Sequence, residues 1–203
     1  DNIRESVKDS DLIVLGIPVG AMESIVSEIA PFLKSGTIIT DVGSVKKHLI
    51  DSILPILPSD VYFVPGHPIA GTEKSGPEAG FAELFNGRWC ILTPNKNTSQ
   101  VALEKVKFIW EQAGMQITTM DAEYHDRVLA ITSHIPHLVA FSIVGTVTEL
   151  EDQLKTEVIK YSAGGFRDFT RIAASDPIMW RDVFLNNSEA VLEMLGRFIE
   201  DLT

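Results

Sequence analysis

The sequence predicts an α/β fold, a doubly wound parallel sheet, followed by an all-α region, with the boundary near residue 120. Two observations predict it. Short apolar, β-branched runs alternate with stretches of helical periodicity as far as residues 116–119, and such alternation builds a parallel sheet covered on both faces. Beyond Asp121 only the helical period remains.

Residues 12–17 (LIVLGI) read as a strand buried on both sides, stopped by Pro18. Met22, Ile25, Val26, Ile29 and Leu33 then recur at helical spacing, and Gly36 is placed to cap that helix. Residues 37–41 form the next strand, 46–54 a helix, and 61–64 and 89–93 further strands. An amphipathic helix follows, burying Ala102, Val106, Ile109, Trp110 and Ala113 and closed by Gly114; residues 116–119 are the last strand. Asp121 is placed to cap a long helical run to about residue 150, bent at Pro136. Helices over 156–161, 166–174 and from Pro177 complete the chain, with Asp176-Pro177 as cap and first-turn residue. Few of these helices can share a compact core of their own, so the region is expected to dock on a second subunit.

Composition narrows the function. The 203 residues carry a net charge of -11, which leaves no basic surface for nucleic acid. No apolar stretch is read as approaching the ~20 residues of a membrane span, and no signal peptide is read. The single cysteine, Cys90, excludes an internal disulfide and suits the cytoplasm, the expected location.

In open α/β sheets ligands bind beyond the carboxyl ends of the strands. Pro18-Val19-Gly20, Asp41-Val42-Gly43-Ser44 and Gly66-His67-Pro68 all lie at such ends. His67 has two readings, a general base and a strand-end cap. Ser44 is read both as a partner of that imidazole and as the N-cap of the following helix. His125, Ser133, His134 and His137 share one helical run, but HExxH is absent and no metal site is expected. Arg167 and Arg171, one turn apart, suit a carboxylate, against the alternative of surface pairing with Asp168 or Asp176. Trp180 reads as core or pocket wall, and Glu73 and Lys74 as a pair on the loop.

Four segments together, DVGSVK (41–46), GHPIAGTEKSG (66–76), HDRVLAITSHIPH (125–137) and GGFRDFTRIAASDPIMWRD (164–182), resemble the prephenate dehydrogenase family, which includes arogenate and cyclohexadienyl dehydrogenases. The resemblance implies oxidative decarboxylation of prephenate to 4-hydroxyphenylpyruvate, on the route to tyrosine, with NAD in preference to NADP. It places the catalytic base on His67 with Ser44 beside it, and the ring-carboxylate clamp on Arg171. His137, Thr72, Glu73, Arg167 and Trp180 fall around the substrate. Ile17, Pro18, Val19, Gly43 and Ser44 fall along the cofactor crevice. A homodimer through the helical domain is implied, with some pocket residues crossing the interface.

Against the family pattern the chain holds no GxGxxG, the turn that receives a dinucleotide pyrophosphate at a helix N-terminus. Residues 1–120 are therefore expected to be a truncated Rossmann-like domain lacking its first βαβ unit, roughly seventy residues. Residues 121–203 are expected to be the substrate and dimerisation domain. Two alternatives are carried: arogenate dehydrogenation, and a cofactor-deficient dimeric module that keeps the ligand pocket.

Overall fold

The computed structural model describes residues 2–71 and 76–203. A short helix α1 (Ile3–Val7) precedes strand β1 (Leu12–Leu15), helix α2 (Val19–Ile29), β2 (Ile38–Asp41), α3 (Lys47–Ile53) and β3 (Tyr62–Val64). β4 (Gly66–Pro68), β5 (Trp89–Leu92), α4 (Gln100–Gln112) and β6 (Gln116–Thr119) follow. The order β1-β2-β3 is parallel throughout, with Leu12 opposite Ile38 and Ile38 opposite Tyr62.

Burial follows the strand period of two. Ile39 faces one core with Met22 and Val26 of α2 and Leu49 and Ile53 of α3. Its neighbour Ile38 faces the other core with Val106 and Trp110 of α4. Helices thus cover both faces, as the alternation predicted. Each such fully buried aliphatic side chain contributes about 1.5–3 kcal/mol.

Two local expectations change. The helix read through Leu33 ends at Ile29 and tightens into a 3-10 turn over Ala30–Phe32, because Pro31 has no N–H and its ring obstructs a continuing α-helix. The strand-end segment after Val64, read as loop, forms β4, which pairs antiparallel with β5, His67 opposite Ile91. β5 pairs parallel with β6, so this second sheet is mixed.

From Asp121, whose carboxylate accepts the N–H groups of Glu123 and Tyr124, the chain is helical. α5 (Ala122–Leu129) passes through a π-helical turn (Ala130–His134) into α6 (Ile135–Thr148), with Pro136 in the first turn of α6. The bend expected at Pro136 is thus absorbed just upstream, where a widened turn accommodates the missing donor. α7 (Asp152–Tyr161), α8 (Gly164–Thr170), a 3-10 turn (Arg171–Ala174), α9 (Pro177–Asn186) and α10 (Ser188–Leu202) complete the chain. Trp180 and Val183 of α9 enter the core beneath α2 and α3, joining the two halves.

Contrary to the sequence reading, the 27 residues of Ala122–Thr148 are long and apolar enough to cross a membrane by length and composition. The run nevertheless carries buried His125, Asp126 and His134, each with a polar contact to a residue outside the run: His67, Lys46 and Asn187 respectively.

Candidate active site

The site is built at the carboxyl ends of β2 and β3. Asp41 closes β2 with no exposed surface. Its Oδ1 accepts the Gly43 N–H at 2.8 Å and the Lys46 ammonium, and its Oδ2 accepts the Gly66 N–H at 3.2 Å. Lys46, fully buried, also donates to the Gly66 carbonyl at 2.6 Å. A Cβ on Gly66 would sit 3.0 Å from the Asp41 carbonyl oxygen and 3.2 Å from Leu92, so the approach of β4 to β2 requires glycine. Burial pulls the Lys46 pKa down and Asp41 opposes it.

His67 is thereby fixed in β4, and its Nδ1 lies 2.9 Å from Nε2 of His125. His125 Nδ1 lies 2.8 Å from Oδ1 of Asp126. Asp126 is itself anchored: Oδ1 accepts the Lys46 N–H at 2.8 Å and Oδ2 the Lys47 N–H at 2.9 Å. The expected capping of this helix by Ser44 is therefore corrected. Ser44 lies half-buried in the turn before α3, Lys46 occupies the cap position, and the free N–H groups are taken by a carboxylate from α5.

The chain of partners assigns the protons. A carboxylate only accepts, so His125 carries hydrogen on Nδ1 and offers the Nε2 lone pair to an Nδ1–H of His67. This leaves Nε2 of His67 unprotonated. Burial, reinforced by His125 and Lys46, holds the His67 pKa well below the usual imidazole value, so the ring is neutral at pH 7. Burial also lowers His125, against Asp126, and takes His134 down to about 4.

His67 opens onto a cleft of about 560 Å³ between β4 and the helices. Ile69, Leu129, Met179 and Trp180 give it apolar walls; Ser133, His137 and Arg88 supply polar groups. The His137 ring stacks on Trp180 with centroids 3.7 Å apart, and its Nδ1 lies 2.9 Å from the Ser133 carbonyl oxygen. That contact makes Nδ1 the donor and turns the other nitrogen outward. A second cleft, about 630 Å³, is lined by Leu12, Ile38, Val101, Phe108 and Ile109; it is apolar and holds none of the histidines.

His67, His137 and Trp180 are thus brought to one cavity. Arg171 is exposed in the turn whose Ile172 lines the cleft, and Arg167 is exposed on α8. Thr72 and Glu73, with Lys74, lie outside the described residues. Ile17 is half-buried, Pro18 caps α2, and Val19 packs under Gly43, 3.1 Å from where a Gly43 Cβ would stand. Sequence reasoning missed Arg88 and the pairing of His125-Asp126 with His67. A histidine and an aspartate side by side on an otherwise apolar helix face was the available signal for the latter.

Mostly parallel strands covered by helices, with polar groups gathered at the strand ends and a helical second half, define a Rossmann-like architecture. Residues 1–119 match the prephenate dehydrogenase nucleotide-binding domain, and residues 121–203 match the prephenate dehydrogenase dimerization domain. The chain belongs to the prephenate dehydrogenase family. It is 46% identical to a cyclohexadienyl dehydrogenase of Zymomonas mobilis, matching 100% of this chain and 69% of that protein. With a prephenate dehydrogenase of Bacillus subtilis it shares 37% identity over 100% of this chain and 54% of the relative. The crystal structure of prephenate dehydrogenase from Aquifex aeolicus with hydroxyphenyl propionate and NAD+ superposes with a TM-score of 0.91 at 42% identity, covering 99% of this chain and 70% of that one.

The strand ends fit the nicotinamide end of a dinucleotide. Gly16 at the end of β1 is exposed, with nothing within 4 Å of the position its Cβ would take, so a flat ring can approach the backbone. The glycine-rich phosphate turn has no counterpart in these residues.

Proposed function

We propose that the protein takes part in oxidative decarboxylation of prephenate to 4-hydroxyphenylpyruvate, in tyrosine biosynthesis, with NAD as hydride acceptor and His67 as base. The observation that carries this reading is the Asp126-His125-His67 chain, which by its hydrogen bonding leaves Nε2 of a cleft-lining histidine unprotonated. A neutral imidazole there can accept the hydrogen bond of the C4 hydroxyl and draw off its proton as hydride leaves the same carbon. NAD, when bound, supplies the hydride acceptor. The resulting ketone is conjugated to the ring carbon bearing the carboxylate. Loss of carbon dioxide sends that bond's electron pair through the ring to the oxygen, which recovers the proton from His67 as a phenol.

The remaining residues orient. Ser44, at the adjacent strand end, is assigned to the substrate hydroxyl and His67. Arg171, with Arg167, Thr72 and Glu73, is assigned to the ring carboxylate and the pocket rim, His137 and Trp180 to the side-chain end. Ile17, Pro18, Val19 and Gly43 are assigned to the nicotinamide crevice. NAD rather than NADP follows the named ligand of the Aquifex structure. Arogenate is the alternative substrate, and the Zymomonas relative is named for the broader cyclohexadienyl class. Residues 1–120 are assigned to cofactor binding and 121–203 to substrate binding and homodimer formation, in the cytoplasm. The exposed Leu154, Ile159 and Tyr161 of α7 support a partner surface.

The test is prephenate-dependent reduction of NAD by the whole polypeptide, with His67→Asn as the diagnostic variant. Turnover is expected to fall by roughly 100- to 10,000-fold with KM little changed. Turnover surviving within about tenfold would remove His67 from the role. Failure of NAD or NADP to bind, while an aromatic carboxylate still binds, would favour the cofactor-deficient module.

A further inference from the structure

Resting on the functional reading above, we propose that Arg88 binds the side-chain carboxylate of the substrate and so favours a 2-keto acid side chain over a 2-amino acid one. Arg88 immediately precedes β5, whose Trp89 carbonyl accepts the Ile69 N–H at 2.7 Å, so it stands beside the far end of β4 from the base. Its side chain lines the same cleft as His67, His137 and Trp180.

Charge makes the position informative. Among the described residues lining the cleft, Arg88 is the one lysine or arginine, and no aspartate or glutamate lines it. Burial lowers the pKa of both lining histidines, His67 and His137. The permanent charge of the described lining is therefore a single guanidinium, in a chain whose net charge is -11. A cleft of that kind selects an anion.

Distance places which end of the anion it meets. His67 pairs with Ile91, three residues beyond Arg88, which is about 10 Å of extended chain. A substrate whose hydroxyl rests on His67 spans its ring before reaching that point. The ring carbon opposite the hydroxyl carries both the ring carboxylate and the side chain, and the carboxylate at the end of the side chain is the one that reaches farther, to Arg88. A planar guanidinium accepts a carboxylate there through two parallel hydrogen bonds. A 2-keto acid adds a neutral acceptor next to that carboxylate. A 2-amino acid instead adds an ammonium, which the same guanidinium repels.

The experiment measures equilibrium binding of three probes to this chain by calorimetry: 3-(4-hydroxyphenyl)propanoate, tyrosine, and 4-ethylphenol, which has the ring and hydroxyl but no carboxylate. Arg88→Gln is expected to weaken the propanoate by roughly tenfold, tyrosine by clearly less, and 4-ethylphenol not at all. Arg88→Lys is expected to recover part of the loss, because it restores the charge without the planar fork. Equal weakening of all three probes would show damage to the pocket and overturn the assignment. Unchanged propanoate binding with wild-type affinity for 4-ethylphenol would overturn it while leaving the functional reading intact. If no probe binds the unsubstituted chain, the functional reading falls and this assignment with it.

Discussion

The molecule has an inner wall behind the cleft and an outer wall of helices beyond it, and the two are built on opposite principles. On the inner wall, where the strand ends meet α5, Asp41, Lys46, His67, His125 and Asp126 are buried, and hydrogen bonds between elements far apart in sequence hold them together. On the outer wall, α7 and α8 bury no residue and line none of the cleft, and Arg167 and Arg171 stand exposed. The contrast separates two jobs. Proton transfer needs a fixed geometry and a low dielectric, which a closed polar network supplies. On the proposed reading, capture of the carboxylate falls to these exposed guanidinium groups.

The sharpest way to break that contrast is Lys46→Met, which strands the Asp41 carboxylate without its cation in the interior. A loss of about 3–5 kcal/mol is expected from denaturant unfolding. A loss below about 1 kcal/mol would mean water reaches the pair.

Acidification should act on the histidines of the inner wall and on those of the helices that cover the cleft. His67, His125, His134 and His137 all have folded pKa values below the ordinary 6.5. Below that value the unfolded chain binds protons that the folded chain refuses, so stability is complete above it and falls as pH drops. His134, at about 4, should remove on the order of 3 kcal/mol by that pH. Urea midpoints between about pH 7.5 and about pH 5 test this, and a flat profile would mean the rings are solvated.

Asp126→Asn sharpens the comparison within the inner wall. An amide can present its NH2 to His125 and so reverse the tautomer passed on to His67. A loss of about 1.5–3 kcal/mol in transition-state stabilisation is expected, together with a displaced pH profile; a purely structural role would lower stability and leave the profile in place.

The outer wall should give the smallest effects. Arg171→Gln is expected to raise KM by roughly tenfold with kcat little changed, and Arg167→Gln to alter either constant by no more than about twofold. If Arg167→Gln proves as damaging as Asp126→Asn, the helical side is as rigidly engaged as the sheet side, and the distinction fails.

What the sequence disclosed follows the same division. Period-two and helical patterning were enough for β1 to β3, α2 to α4 and the helical second half, because burial on one or two faces is a local signal. Pro136, Gly114 and the Asp121 and Asp176 caps likewise act through their own backbone neighbours. The β4 pairing was not legible, since three residues ending in proline carry no periodicity. Nor was the capping of α3, because Asp126 lies 80 positions from Lys46, and a nearby serine was the better local candidate. His67 and Ser44 stood out as polar residues at strand ends. His125, Lys46 and Arg88 acquired meaning only from their neighbours in space.

The π turn at Ala130–His134 has a geometric consequence for the whole cleft. An α-helix advances about 100° per residue, so one residue accommodated in a widened turn shifts the angular phase of everything downstream by that amount. His125 and Asp126 point from the stretch before the slip toward His67 and Lys46, while His137 points from the stretch after it onto Trp180. An unbroken α-helix over the same residues could aim only one of those two sets correctly. The slip is what lets a single helical run serve as both the back of the proton network and the side of the ring pocket.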